Sequence, residues 1–388
     1  MQTSKIRICA IATISKSMDW FMIASMRNLA KNGFDVTLIC DMDEAFITQN
    51  SDFATCIPLK MRRGAKIGDL FRVIREMKKI FRREKFDVIY YMTPNASFYA
   101  SVAGKSAGIR HRVYSQCGLR YVSFGGIKRI IFKMIEKWTC KNSTAVRAQS
   151  PLNREFAISE GLCKPDKISV VGIGGTIGVD LSLCDSFDHA EKRKEIRGKY
   201  GIPEDAFVYG FVGRLNADKG INELVEAFEK VKIENSYLLL VGMYDKGNPI
   251  SDENLKIANE SPRIILTGNV ENEEVYFYMA AFDVLVHPTY REGFGKVLQE
   301  GLGMCLPIIT TDVPGPKEVI EDGVSGALVP AKNAAALADK MVEFYQNPDL
   351  CRQYAVTGRK RAETYFDRPI MLNNILEDMK KIVGAAND

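Results

Sequence analysis

The sequence predicts an α/β protein made of two doubly wound domains in tandem, and three observations carry that prediction. Short apolar runs alternate with amphipathic stretches of helical period, the pattern of parallel sheets covered on both faces by helices. A polar stretch over 185–199 interrupts the alternation once, after which it begins again. Finally, 388 residues are about twice what one hydrophobic core comfortably organises.

The opening run, IRICAIATI, reads as a buried first strand. It stops at Ser15, Lys16 and Ser17 and lacks the small-residue cleavage site of a secretory leader. A helix over 19–32 follows, with Gly33 as its C-cap. Strand FDVTLIC, a helix over 69–84, strand FDVIYYM, a helix over 96–107 and strand HRVYSQ continue the first domain, which is assigned to 1–180. The second domain, 181–368, runs through FVYGFVGR, NSYLLLVG, RIILTGN, DVLVHP, LPIITTD and SGALVP with helices between them. The last helical pattern, in 369–388, is expected to pack back on the first domain.

Composition narrows the class. Hydrophobic residues at 46% and charged residues at 26% are ordinary for a globular protein, and no run of eighteen apolar residues predicts a membrane-spanning helix. The nine cysteines are odd in number and include no CxxC pair, which argues for a reduced, cytoplasmic chain without a disulfide framework. His111, His189 and His287 are not at metal-ligand spacing, so no protein-held metal is expected. Charge is uneven: residues 1–180 carry 29 Lys and Arg against 15 Asp and Glu, and the remainder 24 against 33. Halves of opposite sign suggest different partners.

In doubly wound sheets, ligands bind beyond the carboxyl ends of the strands, so the strand ends of the second domain are where chemistry is expected. FVYGFVGRLNADKG places Gly213, Arg214 and Lys219 at one such end, a guanidinium and an ammonium suited to a diphosphate. A loop of merely solvated charges fits that stretch alone equally well. REGFGKVLQE, beyond DVLVHP, sets two glutamates eight positions apart. Between them Gly293, Phe294 and Gly295 let backbone approach a ligand, and the helix opening at Lys296 and Val297 points NH groups at an anion. Glu292 and Glu300 would flank that anion and accept from sugar hydroxyls. Gly268, Asn269 and Val270 end another strand, where backbone could read a base edge; Tyr276, Phe277 and Tyr278 beyond them read as helix packing.

VGRLNADKG, EGFGKVLQE and TDVPGPKEVIEDGVSGALVP together resemble the donor half of family 4 retaining glycosyltransferases, especially those building bacterial surface polysaccharides. CKNSTAVRAQSPLNREF and GGTIGVD extend the likeness over nearly all the chain. The resemblance implies a GT-B-type fold, two Rossmann-like domains facing across a cleft. It also implies a hexosyl- or N-acetylhexosaminyltransferase acting with retention on a nucleotide diphosphate sugar, UDP-linked, as substrate rather than cofactor. Arg214 and Lys219 would hold the diphosphate, Glu292 the transferred sugar and Glu300 the ribose. The first domain departs from the pattern: TISKSM stands where many members have a glycine pair, and Gln116 and Cys117 stand where many have a histidine before a glycine. Those two residues are the acceptor-side candidates. A nucleotide-sugar epimerase and a non-catalytic nucleotide-sugar-binding partner remain as alternatives.

The stretch DLFRVIREMKKIFRREK combines an apolar face with seven basic residues. It fits a core helix with a solvated face, or a helix docking on anionic membrane where a polyprenyl-diphosphate-linked glycan acceptor is presented. The second fit would place the protein at the inner face of the membrane. No nucleic-acid-binding module is present.

Overall fold

The computed structural model describes residues 5–61 and 67–384. The chain divides into two compact units, one of 1–177 with 369–388 and one of 178–368. Residues 385–388, the end of the expected terminal helix, lie outside the described residues.

The first unit holds a seven-stranded sheet of β1 (Arg7–Ile14), β2 (Asp35–Asp41), β3 (Ala54–Pro58), β4 (Val88–Tyr91), β5 (His111–Gln116), β6 (Ala145–Ala148) and β7 (Ile168–Val170). Their order is β3-β2-β1-β4-β5-β6-β7, with every pair parallel. Successive residues of β1 enter opposite cores: Ile8, Ala10 and Ala12 on one face, Cys9 and Ile11 on the other. That is why the strand reads as continuously apolar. The helix Arg368–Gly384 returns to this unit, where Ile375, Leu376 and Met379 join the β1 core. Asp378 receives a two-pronged hydrogen bond from Arg147 at 2.8 and 2.9 Å.

The second unit holds β8 (Phe207–Val212), β9 (Ser236–Val241), β10 (Ile264–Gly268), β11 (Val284–His287), β12 (Ile308–Thr311) and β13 (Ala327–Val329) in the order β10-β9-β8-β11-β12-β13, again all parallel. In each sheet the order reverses beside the first strand, between β1 and β4 and between β8 and β11. Those reversals open the crevices where such folds take ligands.

Several elements differ from the sequence expectation. The helix expected over 19–32 is two, Ser15–Phe21 and Ile23–Lys31, broken at Met22. The helix Glu44–Asn50 and the five-residue edge strand β3 were not anticipated, being short, and β3 is at most half-buried, which leaves a weak apolar signal. The helix Gly126–Asn142 and β6 also went unread.

Candidate active site at the beta8 and beta11 strand ends

Two loops of the second unit meet at the β8/β11 reversal. The β8 loop begins at Gly213 and winds into a single turn, Ala217–Lys219, whose N-cap Asn216 accepts from Lys219 NH at 3.1 Å. Gly220 follows at φ +70°, where a Cβ would stand 2.0 Å from the carbonyl oxygen of Pro288. Only glycine lets the loop close onto its neighbour there. Three further bonds stitch the loops: Tyr290 NH to the Asp218 carbonyl at 2.8 Å, Arg291 Nε to the Asp218 carboxylate at 3.1 Å, and Tyr290 OH to Glu223 at 2.6 Å.

This closure brings Lys219 and Glu292, 73 positions apart, into direct contact: the ammonium donates to Oε1 of the carboxylate. His287, at the end of β11, reaches the same Oε1 through Nε2 at 3.3 Å. Its ring is stacked on Phe211 of β8 with centroids 5.2 Å apart. Burial, reinforced by the Lys219 charge, holds the His287 pKa well below the usual imidazole value, so the ring is neutral. A neutral ring that donates through Nε2 leaves Nδ1 as a bare lone pair, and Nδ1 is buried without a hydrogen-bond partner among the described residues.

Lys219 is under opposing influences. Burial first, then the like charges of Arg214 and Arg291, push its ammonium down to about 7, while Asp218 works the other way. The touching Glu292 carboxylate also favours the charged form. Arg214 is largely exposed and bonds Asp245 at 2.8 Å. Past Glu292, Phe294 sinks its ring against Phe366, so its backbone is what remains for a ligand. Gly295, at φ +100°, opens the helix Lys296–Gly303 with no side-chain cap. An uncapped helix start presents NH donors and the positive end of the dipole.

Glu300 is buried one turn in, touching Lys296 and accepting from Tyr276 OH at 3.3 Å. It is not the solvated charge that a plain surface helix would carry. Tyr276 and Tyr278 are buried and Phe277 packs on Phe187, consistent with helix packing. Asn269 and Val270 follow β10, at the sheet edge two strands from β8, and Asn269 bonds only Glu271 in the hydrogen bonds described, at 3.4 Å. Gln116 and Cys117 belong to the first unit. Gln116 is buried and donates to Glu136 at 2.7 Å, and Tyr114 OH donates to the same oxygen at 2.9 Å. Burial raises the Glu136 pKa against those two bonds. Cys117 is exposed, its Sγ 3.4 Å from Ser115 Oγ.

Sequence reasoning missed His287 and Glu136. The position of His287, five residues before Glu292 at a strand end, was the available signal. Glu136 had none, because its helix was not anticipated.

Fold and loops are together those of a glycosyltransferase with the GT-B fold. Residues 192–361 match the family model of glycosyl transferases group 1, and residues 7–150 match glycosyl transferase 4-like. Each of the two units thus matches a glycosyltransferase family model of its own. It is 29% identical over 368 residues to the capsular polysaccharide biosynthesis glycosyltransferase CapM of Staphylococcus aureus, covering 94% of each chain. It is 26% identical to the putative glycosyltransferase EpsD of Bacillus subtilis, covering 100% of this chain and 98% of the other. The fold superposes on Anabaena Alr3699/HepE, crystallised with UDP and glucose, with a TM-score of 0.80 at 18% identity, over 97% of this chain and 100% of that one.

Proposed function

We propose that this glycosyltransferase moves a sugar from a UDP-sugar to a lipid-linked glycan acceptor during surface polysaccharide assembly, with retention of configuration. The observation that carries the donor half is the meeting, at the β8/β11 reversal, of Lys219 with Glu292, in the loop that leads into the uncapped start of the Lys296–Gly303 helix. Lys219 and that helix start offer positive potential to one anion. On this reading the diphosphate takes Lys219 away from Glu292. The freed Glu292 carboxylate, steadied by His287, then accepts from hydroxyls of the transferred sugar, and Glu300 receives the ribose. As the sugar–oxygen bond breaks, charge builds on the departing diphosphate, and Arg214, Lys219 and the helix NH groups stabilise it. The CapM likeness supports the polysaccharide role, and the UDP and glucose bound by Alr3699/HepE support the donor class.

The test is a panel of nucleotide sugars, scored by calorimetry for binding and by mass spectrometry for product with and without polyprenyl-diphosphate-linked acceptors. Acceptor-dependent transfer from a UDP-sugar is the expected result. Conversion of the donor alone would mark an epimerase, and binding without turnover by any acceptor would mark a non-catalytic partner.

A further inference from the structure

The helix Gly126–Asn142 wears its apolar side outward. Ile127, Ile130, Ile131, Met134 and Trp138 are between 49 and 76% exposed. At 3.6 residues per turn all five fall within one arc of about 100°. The side packed on the first unit is mixed: Glu136, Thr139 and Cys140 are buried, and Phe132 rests against the core. Lys128, Lys137 and Lys141 are exposed around the apolar stripe, and Arg129 and Lys133 reach Glu160 at 3.6 and 2.7 Å. A contiguous apolar face of this kind is unusual on a protein that meets only water.

The stretch nominated from sequence for membrane contact, in the helix Ile67–Glu84, is built the other way. Val73, Met77 and Phe81 are spent in the core, and among the described apolar side chains of this helix only Phe71 stands out, at 66%. What that helix offers outward is charge, from exposed Arg75, Lys79, Arg82 and Arg83. Both helices contact Pro94–Ala107 and share one core, and the Trp138 ring stacks on Phe98 of that helix at 6.5 Å.

We propose that the Gly126–Asn142 helix lies in the interface of an anionic bilayer. Ile127, Ile130, Ile131, Met134 and Trp138 enter among the acyl chains, while the surrounding lysines meet lipid phosphates. The occupant is chosen by charge. The helix carries five Lys and Arg and one acidic residue, the buried Glu136. A second copy of the chain, joined face to face through this surface, would set those cations against each other. An anionic bilayer supplies an apolar interior and negative headgroups together. The inference rests on the proposed lipid-linked acceptor only in that a bilayer is then the surface at hand.

The chain has two tryptophans, so a Trp20→Phe variant of the full chain makes Trp138 the sole reporter. With phosphatidylglycerol-containing vesicles its emission should shift to the blue and be quenched by brominated acyl chains, and vesicles of phosphatidylcholine alone should give a much smaller effect. The pair Ile130→Asp and Ile131→Asp, both at exposed positions, should cut vesicle partitioning roughly 100-fold or more while leaving circular dichroism and UDP binding unchanged. Trp138 left unquenched, or the double variant sedimenting like the parent, would overturn the proposal. So would light scattering that shows a dimer dissolved by the same double variant. Transfer to a water-soluble acceptor analogue, measured on the same preparations, separates this failure from failure of the functional reading: lost docking with retained transfer refutes only the docking helix.

Discussion

Replacing Lys219 by Met removes the ammonium and keeps most of the side-chain volume, which makes it a sharp probe of the proposed diphosphate site. The ammonium rests on Glu292, with both side chains about four-fifths buried. A unit charge about 4 Å from another, at an effective dielectric near 20, interacts by about 4 kcal/mol. The diphosphate gains only part of a charge on the way to the transition state, so about 3 kcal/mol should be lost there, roughly 100-fold in kcat. Ground-state binding should weaken as well, with a pH signature whose sign is set by the depressed pKa of about 7. Above that value burial and the neighbouring cations favour loss of the proton against the hold of Glu292, and an arriving polyanion raises the pKa and recovers it. UDP binding at pH 8 should therefore take up protons. UDP affinity should fall as pH rises beyond 7, down to the level of the variant. Calorimetry in buffers of different ionisation enthalpy measures the uptake, and Lys219→Met should abolish it. A variant with near-parental kcat, or with the same proton uptake, would refute the assignment.

Three further expectations can be checked alongside. Glu300→Gln keeps an acceptor for Tyr276 but removes the charge, so it should weaken UDP and the full donor alike, by about tenfold; Glu292→Gln should spare UDP and harm only the sugar nucleotide, and equal losses for both ligands in both variants would contradict the assignment. Gly220→Ala places a Cβ against the Pro288 carbonyl at positive φ, and should cost at least about 2 kcal/mol of stability in thermal melts; an unchanged melting temperature would mean the two loops do not need their close approach. Turnover should survive EDTA if the fixed cations carry the leaving-group charge, and strict dependence on added magnesium or manganese would count against that mechanism.

The strands of the second unit were legible because buried parallel strands are continuous apolar runs, and β8 to β13 each stood out between polar turns. The chemical vocabulary was legible too: Arg214, Lys219, Glu292 and Glu300 sit at strand ends or helix starts, where residue type and spacing speak directly. Which strand ends meet was not legible. That β8 lies against β11, so that Lys219 and His287 share one oxygen of Glu292, follows from sheet order, and strand order leaves no local mark in a chain that separates the partners by some seventy positions. The helix Gly126–Asn142 shows the same division from the other side. A 3.6-residue apolar period states that a helix has two faces, but burial is a property of what packs against it. Only the tertiary structure decided that here Glu136 turns inward and Ile127, Ile130, Ile131 and Trp138 face out.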